Sequence, residues 1–214
     1  MWLLSGCASD SLLGSVSRAL VQQQFGSVPD ATLTAPLNPA YRYLRVQLTG
    51  GAPALLVLGY LESDPGGEVE VWYSAKRELI KIQNGRLVGS AGLASDWRHV
   101  RYSQPPPAWQ SLRGAASYTR WRDVMPGYHY GLVEQLTLQA AETPPPPQVT
   151  SLLSPGQVKA YVWYRESDST PNALPQAWFA LSATEPRELL YAYQCLTAQL
   201  CLQMQAWPAE KAAS

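Results

Sequence analysis

Charge is scarce in this sequence. Lys and Arg total 16, Asp and Glu total 16, the formal net charge is zero, and charged residues make up 15% of the chain, against roughly 25% in an average domain. Without a basic excess the chain is not built as a dedicated nucleic-acid binder, nor for attachment to anionic lipid by charge alone. Histidine is scarcer still, with His99 and His129 the two present. There is no C-x-x-C either, which argues against a zinc centre, and general bases are few. No run of about 18 apolar residues occurs, so no segment reads as a membrane-spanning helix. The signatures G-x-S-x-G, H-E-x-x-H, G-x-G-x-x-G and the Walker loop are missing. These gaps predict a protein that uses no metal or cofactor, takes no nucleic acid and is not an enzyme.

What the sequence does hold is apolar and turn-rich. Hydrophobic residues make up 46% of 214, enough for one compact domain with a sizeable core. Eight Trp and 12 Tyr stand against 2 Phe, and 18 Pro with 15 Gly imply many turns.

The start of the chain bears on compartment. Leu4-Ser5-Gly6-Cys7 looks like a bacterial lipobox, in which the cysteine is lipidated and becomes the first mature residue. Residues 1–6 then read as the remnant of a lipoprotein signal peptide. The other reading is an ordinary thiol near a chain end. Ala8, rather than Asp, follows Cys7, which resembles the sorting pattern for the outer membrane. A lipid on Cys7 would tether the domain without a spanning helix. Cys195 and Cys201 are left as a pair. In an oxidising periplasm they can bridge a tight loop; alternatively both are small apolar core residues.

Ser11 to Phe25 carries a helical period, with Leu12, Leu13, Val16, Leu20 and Val21 on one face and Gly26 as a stop. From Tyr41 the period becomes two. Strands are expected at 44–48, 54–60, 68–73, 79–83, 86–89, 97–102, 118–124, 128–139, 158–164 and 176–182. Asn84-Gly85 predicts a two-residue hairpin turn. Pro144 to Pro147 reads as a stiff surface connection rather than a divider. The last segment fits a helix through Leu189, Tyr193, Leu196 and Leu200, or two strands; two strands are preferred. The expected fold is mainly β: an antiparallel sandwich or open, incomplete β-barrel with one N-terminal helix. Residues 7–40 would hold the lipidated N-terminus, helix and linker, and residues 41–214 a single β-rich domain.

Two groups of residues invite a functional reading. In a strand, Arg120 and Arg122 share one face, opposite Trp121. With Trp97, Arg98 and Arg101 nearby, they suggest an aromatic and basic face for an acidic glycan, through stacking and bidentate arginine contacts. Core tryptophans and paired surface arginines are the plainer account. Glu68 and Glu70 lie two apart on one strand face, a spacing that suits a glycosidase pair but also two solvated residues flanking Val69 and Val71.

Three blocks carry a family resemblance. Leu55-Leu56-Val57-Leu58-Gly59-Tyr60, Glu70-Val71-Trp72-Tyr73-Ser74 and Gln83-Asn84-Gly85-Arg86-Leu87-Val88-Gly89-Ser90-Ala91-Gly92-Leu93 resemble the YjbF/GfcB lipoproteins. Tyr118-x-Arg120-x-Arg122-Asp123 and the lipobox at Cys7 are similar too. The resemblance implies an outer-membrane lipoprotein facing the periplasm. Its role would be that of a non-catalytic accessory factor in exopolysaccharide or capsule assembly and secretion. Its partners would be polysaccharide-export proteins and the polysaccharide itself. It supplies no catalytic residues. A glycan- or lipid-binding β module is the alternative, and a polysaccharide-modifying enzyme a more distant one.

Overall fold

The computed structural model describes residues 36–208. The helix expected over 11–25 and Cys7 lie outside the described residues. Within them the chain forms β1 (Tyr43–Leu48), β2 (Ala54–Asp64), β3 (Gly67–Tyr73), β4 (Leu79–Gln83), β5 (Arg86–Ala91) and β6 (Asp96–Tyr102). There follow β7 (Ala116–Met125), β8 (His129–Ala140), α1 (Pro155–Ala160), β9 (Val162–Asp168), β10 (Ala177–Leu181), β11 (Leu189–Cys195) and β12 (Cys201–Trp207).

All twelve strands belong to one sheet, ordered β5-β4-β3-β2-β1-β12-β11-β10-β9-β8-β7-β6. Every recorded pairing is antiparallel. Strands consecutive in sequence account for all neighbours but one, β1 with β12, where Tyr43 stands opposite Trp207. That pairing curls the sheet on itself and brings β5 and β6 together at its two ends. The result is an open, incomplete barrel rather than a sandwich. Because the strands alternate in direction, the chain enters and leaves at one pole, the terminal pole. The β2–β3 and β4–β5 hairpins turn at that pole; the β7–β8 and β11–β12 hairpins turn at the far pole.

The free edges of β5 and β6 carry no ladder between them, so their polar groups need other partners. Side chains supply them. Asp96 accepts from Ser90 Oγ at 2.9 Å and from the Gly92 and Leu93 amides at 3.0 and 3.2 Å. The Trp97 amide donates to Ser90 Oγ at 3.1 Å. From across the barrel, Gln194 on β11 accepts from the Leu87 amide at 3.0 Å, and its Nε2 donates to the Gly85 carbonyl at 2.9 Å.

The period-two segments bury one face each. On β1, Leu44, Val46 and Leu48 point inward and alternate with half-exposed neighbours. They join Leu56, Ile80, Leu138 and Leu202 in a single core. Asn84 and Gly85 both have positive φ, 49° and 74°, as the hairpin turn expected there requires. Gly85 is held twice over: an added Cβ would lie 1.8 Å from Leu189 Cδ2.

A second, smaller core lies outside the barrel wall. Trp163, Trp178, Ala180 and Tyr191 on β9–β11 are covered by Val149 and Leu152. The connection after the proline run, with a 3₁₀ turn at Pro147–Val149 and then α1, packs as a cover on this face. The strand expected over 158–164 is corrected here: α1 takes 155–160 and β9 begins at Val162. Ser154 and Gln157 form a capping box with Pro155 in the first turn, and such a start outweighs the β-branched Val158.

Candidate functional site

The barrel interior holds charge. Arg86 on β5, Arg120 and Arg122 on β7, Glu134 on β8 and Glu166 on β9 are all at most 7% exposed. Arg120 stands directly opposite Glu134 in the β7–β8 register, and its Nε donates to Glu134 Oε2 at 2.6 Å. Arg122 Nε lies 3.1 Å from Glu134 Oε1. Glu166 is approached by Arg86 at 3.5 Å and Arg120 at 3.7 Å, and it accepts from the Tyr118 hydroxyl.

Three guanidiniums thus face two carboxylates, an imbalance that burial makes expensive. Aromatic faces offset it. Arg86 lies 4.3 Å from the Trp109 ring centroid and 5.4 Å from that of Phe179. Arg120 and Arg122 lie 4.8 and 5.2 Å from the Trp97 ring. Burial on its own would push the Arg120 guanidinium down; Glu134, Tyr102 and Glu166 together push it up instead. Burial, reinforced by the Glu166 charge, pushes the Tyr118 phenol up. Arg120 therefore stays ionised and Tyr118 protonated, and the cluster forms an internal strut between β5, β7, β8 and β9.

The face expected for an acidic glycan is divided by the wall. Trp97, Arg120 and Arg122 point inward, and Trp97 Nε1 donates to the Leu196 carbonyl at 3.1 Å. Arg98 and Arg101 are exposed on the outer surface, and Trp121 is half-buried there with Arg101 6.0 Å above its ring. Arg120 and Arg122 do share a face, but it is the inner one, and the reading of them as surface contacts is corrected. The physical reason is Glu134. It sits between Leu132, Leu136 and Leu138 on one stripe of β8, and a carboxylate within an apolar stripe signals a buried counter-ion. Cys195 and Cys201 are joined, with an S–S distance of 2.05 Å, at the last rung of β11–β12. Among the described residues no group of His, Cys, Asp and Glu is arranged to hold a metal.

A cleft of about 670 Å³ opens at the terminal pole, a size common for small-molecule sites. The start of β1, the end of β12, the start of β11 and the β3 and β4 strands surround it. Leu44, Ile82, Leu189 and Met204 supply apolar lining, and Tyr41, Tyr43 and Trp207 line its rim. Glu68 and Glu70 both face it, because alternate residues of β3 point the same way. Glu70 is engaged: it pairs with Arg42 and accepts from Trp72 Nε1 at 3.2 Å. Arg42 also lies 5.6 Å from the Trp72 ring. Trp109 closes the inner end, donating to the Asn84 carbonyl at 2.9 Å, with Arg86 stacked behind it. The carboxylate pair was legible in the sequence, but its place in a cleft was not, since the β1–β12 pairing that builds the cleft joins opposite ends of the chain.

Fold and site define a class: an incompletely closed antiparallel barrel filled by side chains and an internal ion cluster, with a cleft beside the start of β1 and the end of β12. The chain belongs to the YjbF family, the group 4 capsule polysaccharide lipoproteins GfcB and YjbF, whose model matches residues 25–150. No curated protein matches the chain. Among solved structures it is similar to the hypothetical lipoprotein YmcC from Escherichia coli (K12). The TM-score is 0.60 at 16% identity, covering 97% of this chain and 100% of that one. At that identity the likeness concerns the fold. Among the described residues no helix is long and apolar enough to cross a membrane.

Proposed function

We propose that this protein is held by a lipid on Cys7 at the periplasmic face of the outer membrane. There it acts as a non-catalytic accessory factor in the assembly and secretion of exopolysaccharide or capsule. The observation that carries this reading is the match to a capsule polysaccharide lipoprotein family over residues 25–150. Two features support it. Leu4-Ser5-Gly6-Cys7 has the form of a lipid-attachment site. The barrel interior is given over to the core and the ion cluster, which suits a rigid scaffold. On this reading the partners are the outer membrane, through the lipid, together with polysaccharide-export proteins and the polymer.

The test is genetic. Deleting the gene should remove high-molecular-weight secreted polysaccharide, wild type should restore it, and Cys7→Ser should not. Unchanged polymer in the deletion strain would refute the role. Full rescue by Cys7→Ser would refute the anchor.

A further inference from the structure

The terminal cleft joins apolar, aromatic and charged side chains at one end of the core. Its lining is polar and apolar in about equal measure, and the aromatic Tyr41 that borders it is 56% exposed. Of its charged lining residues, Arg42 and Glu70 neutralise one another. Glu68 remains, exposed near the start of β3, its carboxylate making no hydrogen bond or ion pair to another described residue. Among the described residues the cleft therefore offers a stacking surface with one uncompensated negative charge.

From this we infer that the cleft binds a saccharide chain carrying a basic amino sugar, the ammonium group resting on Glu68 and a neighbouring ring lying over Tyr41. Sugar rings present flat C–H faces that suit aromatic side chains, and their hydroxyls need polar partners that a purely apolar groove lacks. An acyl chain would leave the carboxylates and Arg42 without a role. An acidic polymer would meet a cleft of its own sign, which a binding site avoids. The Arg42–Glu70 pair, packed on Trp72, supplies both a donor and an acceptor for hydroxyls at a fixed position. The assignment rests on the polysaccharide role proposed above, and it puts the contact with polymer at the pole where β1 begins and β12 ends.

The test uses the full chain and three defined probes: a β-1,4-linked glucosamine trimer, its N-acetylated form and a galacturonic acid trimer. Binding is read by saturation-transfer NMR and calorimetry at about pH 5.5, where the glucosamine amines are protonated. The glucosamine trimer should bind most tightly and the galacturonate trimer least. Glu68→Gln should weaken the glucosamine trimer about tenfold and abolish its advantage over the acetylated form. Tyr41→Ala, a change at an exposed side chain, should weaken both. No binding at millimolar concentration, equal binding by Glu68→Gln, or preference for the galacturonate trimer would each overturn the assignment. So would lipid that purifies with the protein and is lost with Tyr41→Ala. Cleavage of the trimer would replace binding with catalysis by Glu68 and Glu70. Failure here separates from failure of the wider role: a polymer-deficient deletion strain rescued by Glu68→Gln, together with absent trimer binding, refutes the cleft alone.

Discussion

Replacing Glu134 by Gln probes the interior most directly. The substitution keeps shape and removes one negative charge. Glu134 is 2% exposed, and it is the carboxylate nearest to both Arg120 and Arg122, at 2.6 and 3.1 Å. In the variant three guanidiniums would face Glu166 alone, and Trp97 could offset only part of the excess. Breaking one side of a buried ion pair costs about 3–5 kcal/mol, a large share of a total stability of about 5–15 kcal/mol. For a domain of this size that corresponds to a fall in Tm of about 6–20 °C. The control is Glu62→Gln, which removes a half-exposed partner of Lys81 at 2.8 Å and should cost about 1 kcal/mol or less. Thermal and urea melts followed by near-UV circular dichroism report both, since Trp97 sits beside the cluster. A loss below about 1 kcal/mol for Glu134→Gln would refute the reasoning, because the aromatic faces would then be holding the arginines unaided. Replacing Arg120, Arg122 and Glu134 together by apolar residues should cost less than Glu134→Gln alone.

Three further outcomes follow from the same structure. Tyr118 and Tyr191 are pushed up by burial, so the folded chain keeps protons that the unfolded chain releases near pH 10. The contribution of these two groups should be constant below that pH and be lost as pH rises above it, with phenolate absorbance appearing together with unfolding. Ionisation of these two tyrosines in a chain that remains folded would contradict this. Cys201→Ser opens a loop with a sequence separation of 6 and should cost about 2 kcal/mol in the oxidised protein; the same Tm with and without the bond would count against it. Gly85→Ala places a Cβ against Leu189 at positive φ and should cost about 1–3 kcal/mol by denaturant melt, whereas Gly50→Ala, which has a similar φ of +72 but meets nothing within 4 Å, should cost less.

Local period and turn chemistry carried most of the strand positions. Asn84-Gly85 and the alternation of β1 and β3 are legible from neighbours in sequence. The C-terminal segment was ambiguous because Leu189, Tyr193, Leu196 and Leu200 also recur at helical spacing. Pairing of β12 with β1 decides it, and that contact spans most of the chain. Which side of the wall the charged face takes is hidden from local sequence for a related reason. Alternation shows that Arg120 and Arg122 point together, but not which way. Only the position of Glu134 one strand over, and of Glu166 two over, decides that. The cover formed by α1 was signalled by Ser154-Pro155 and Gln157, a pattern that reading strands alone passes over.

The adjacency of Tyr43 and Trp207 has a consequence for how force and geometry reach the domain. Any pull transmitted from a membrane attachment through residues 36–42 arrives at β1, in the rung it shares with β12. Tension there acts along the strands and loads several hydrogen bonds of two ladders in shear at once, rather than unzipping them singly. β1 begins and β12 ends at one pole, so on the proposed lipid anchoring a cargo fused after Trp207 would hang on the anchored side, and the β7–β8 hairpin with its exposed Tyr128 and Tyr130 would stay clear at the other. A molecule wired in this way can be tethered firmly and still offer an entire pole to the space beyond the membrane.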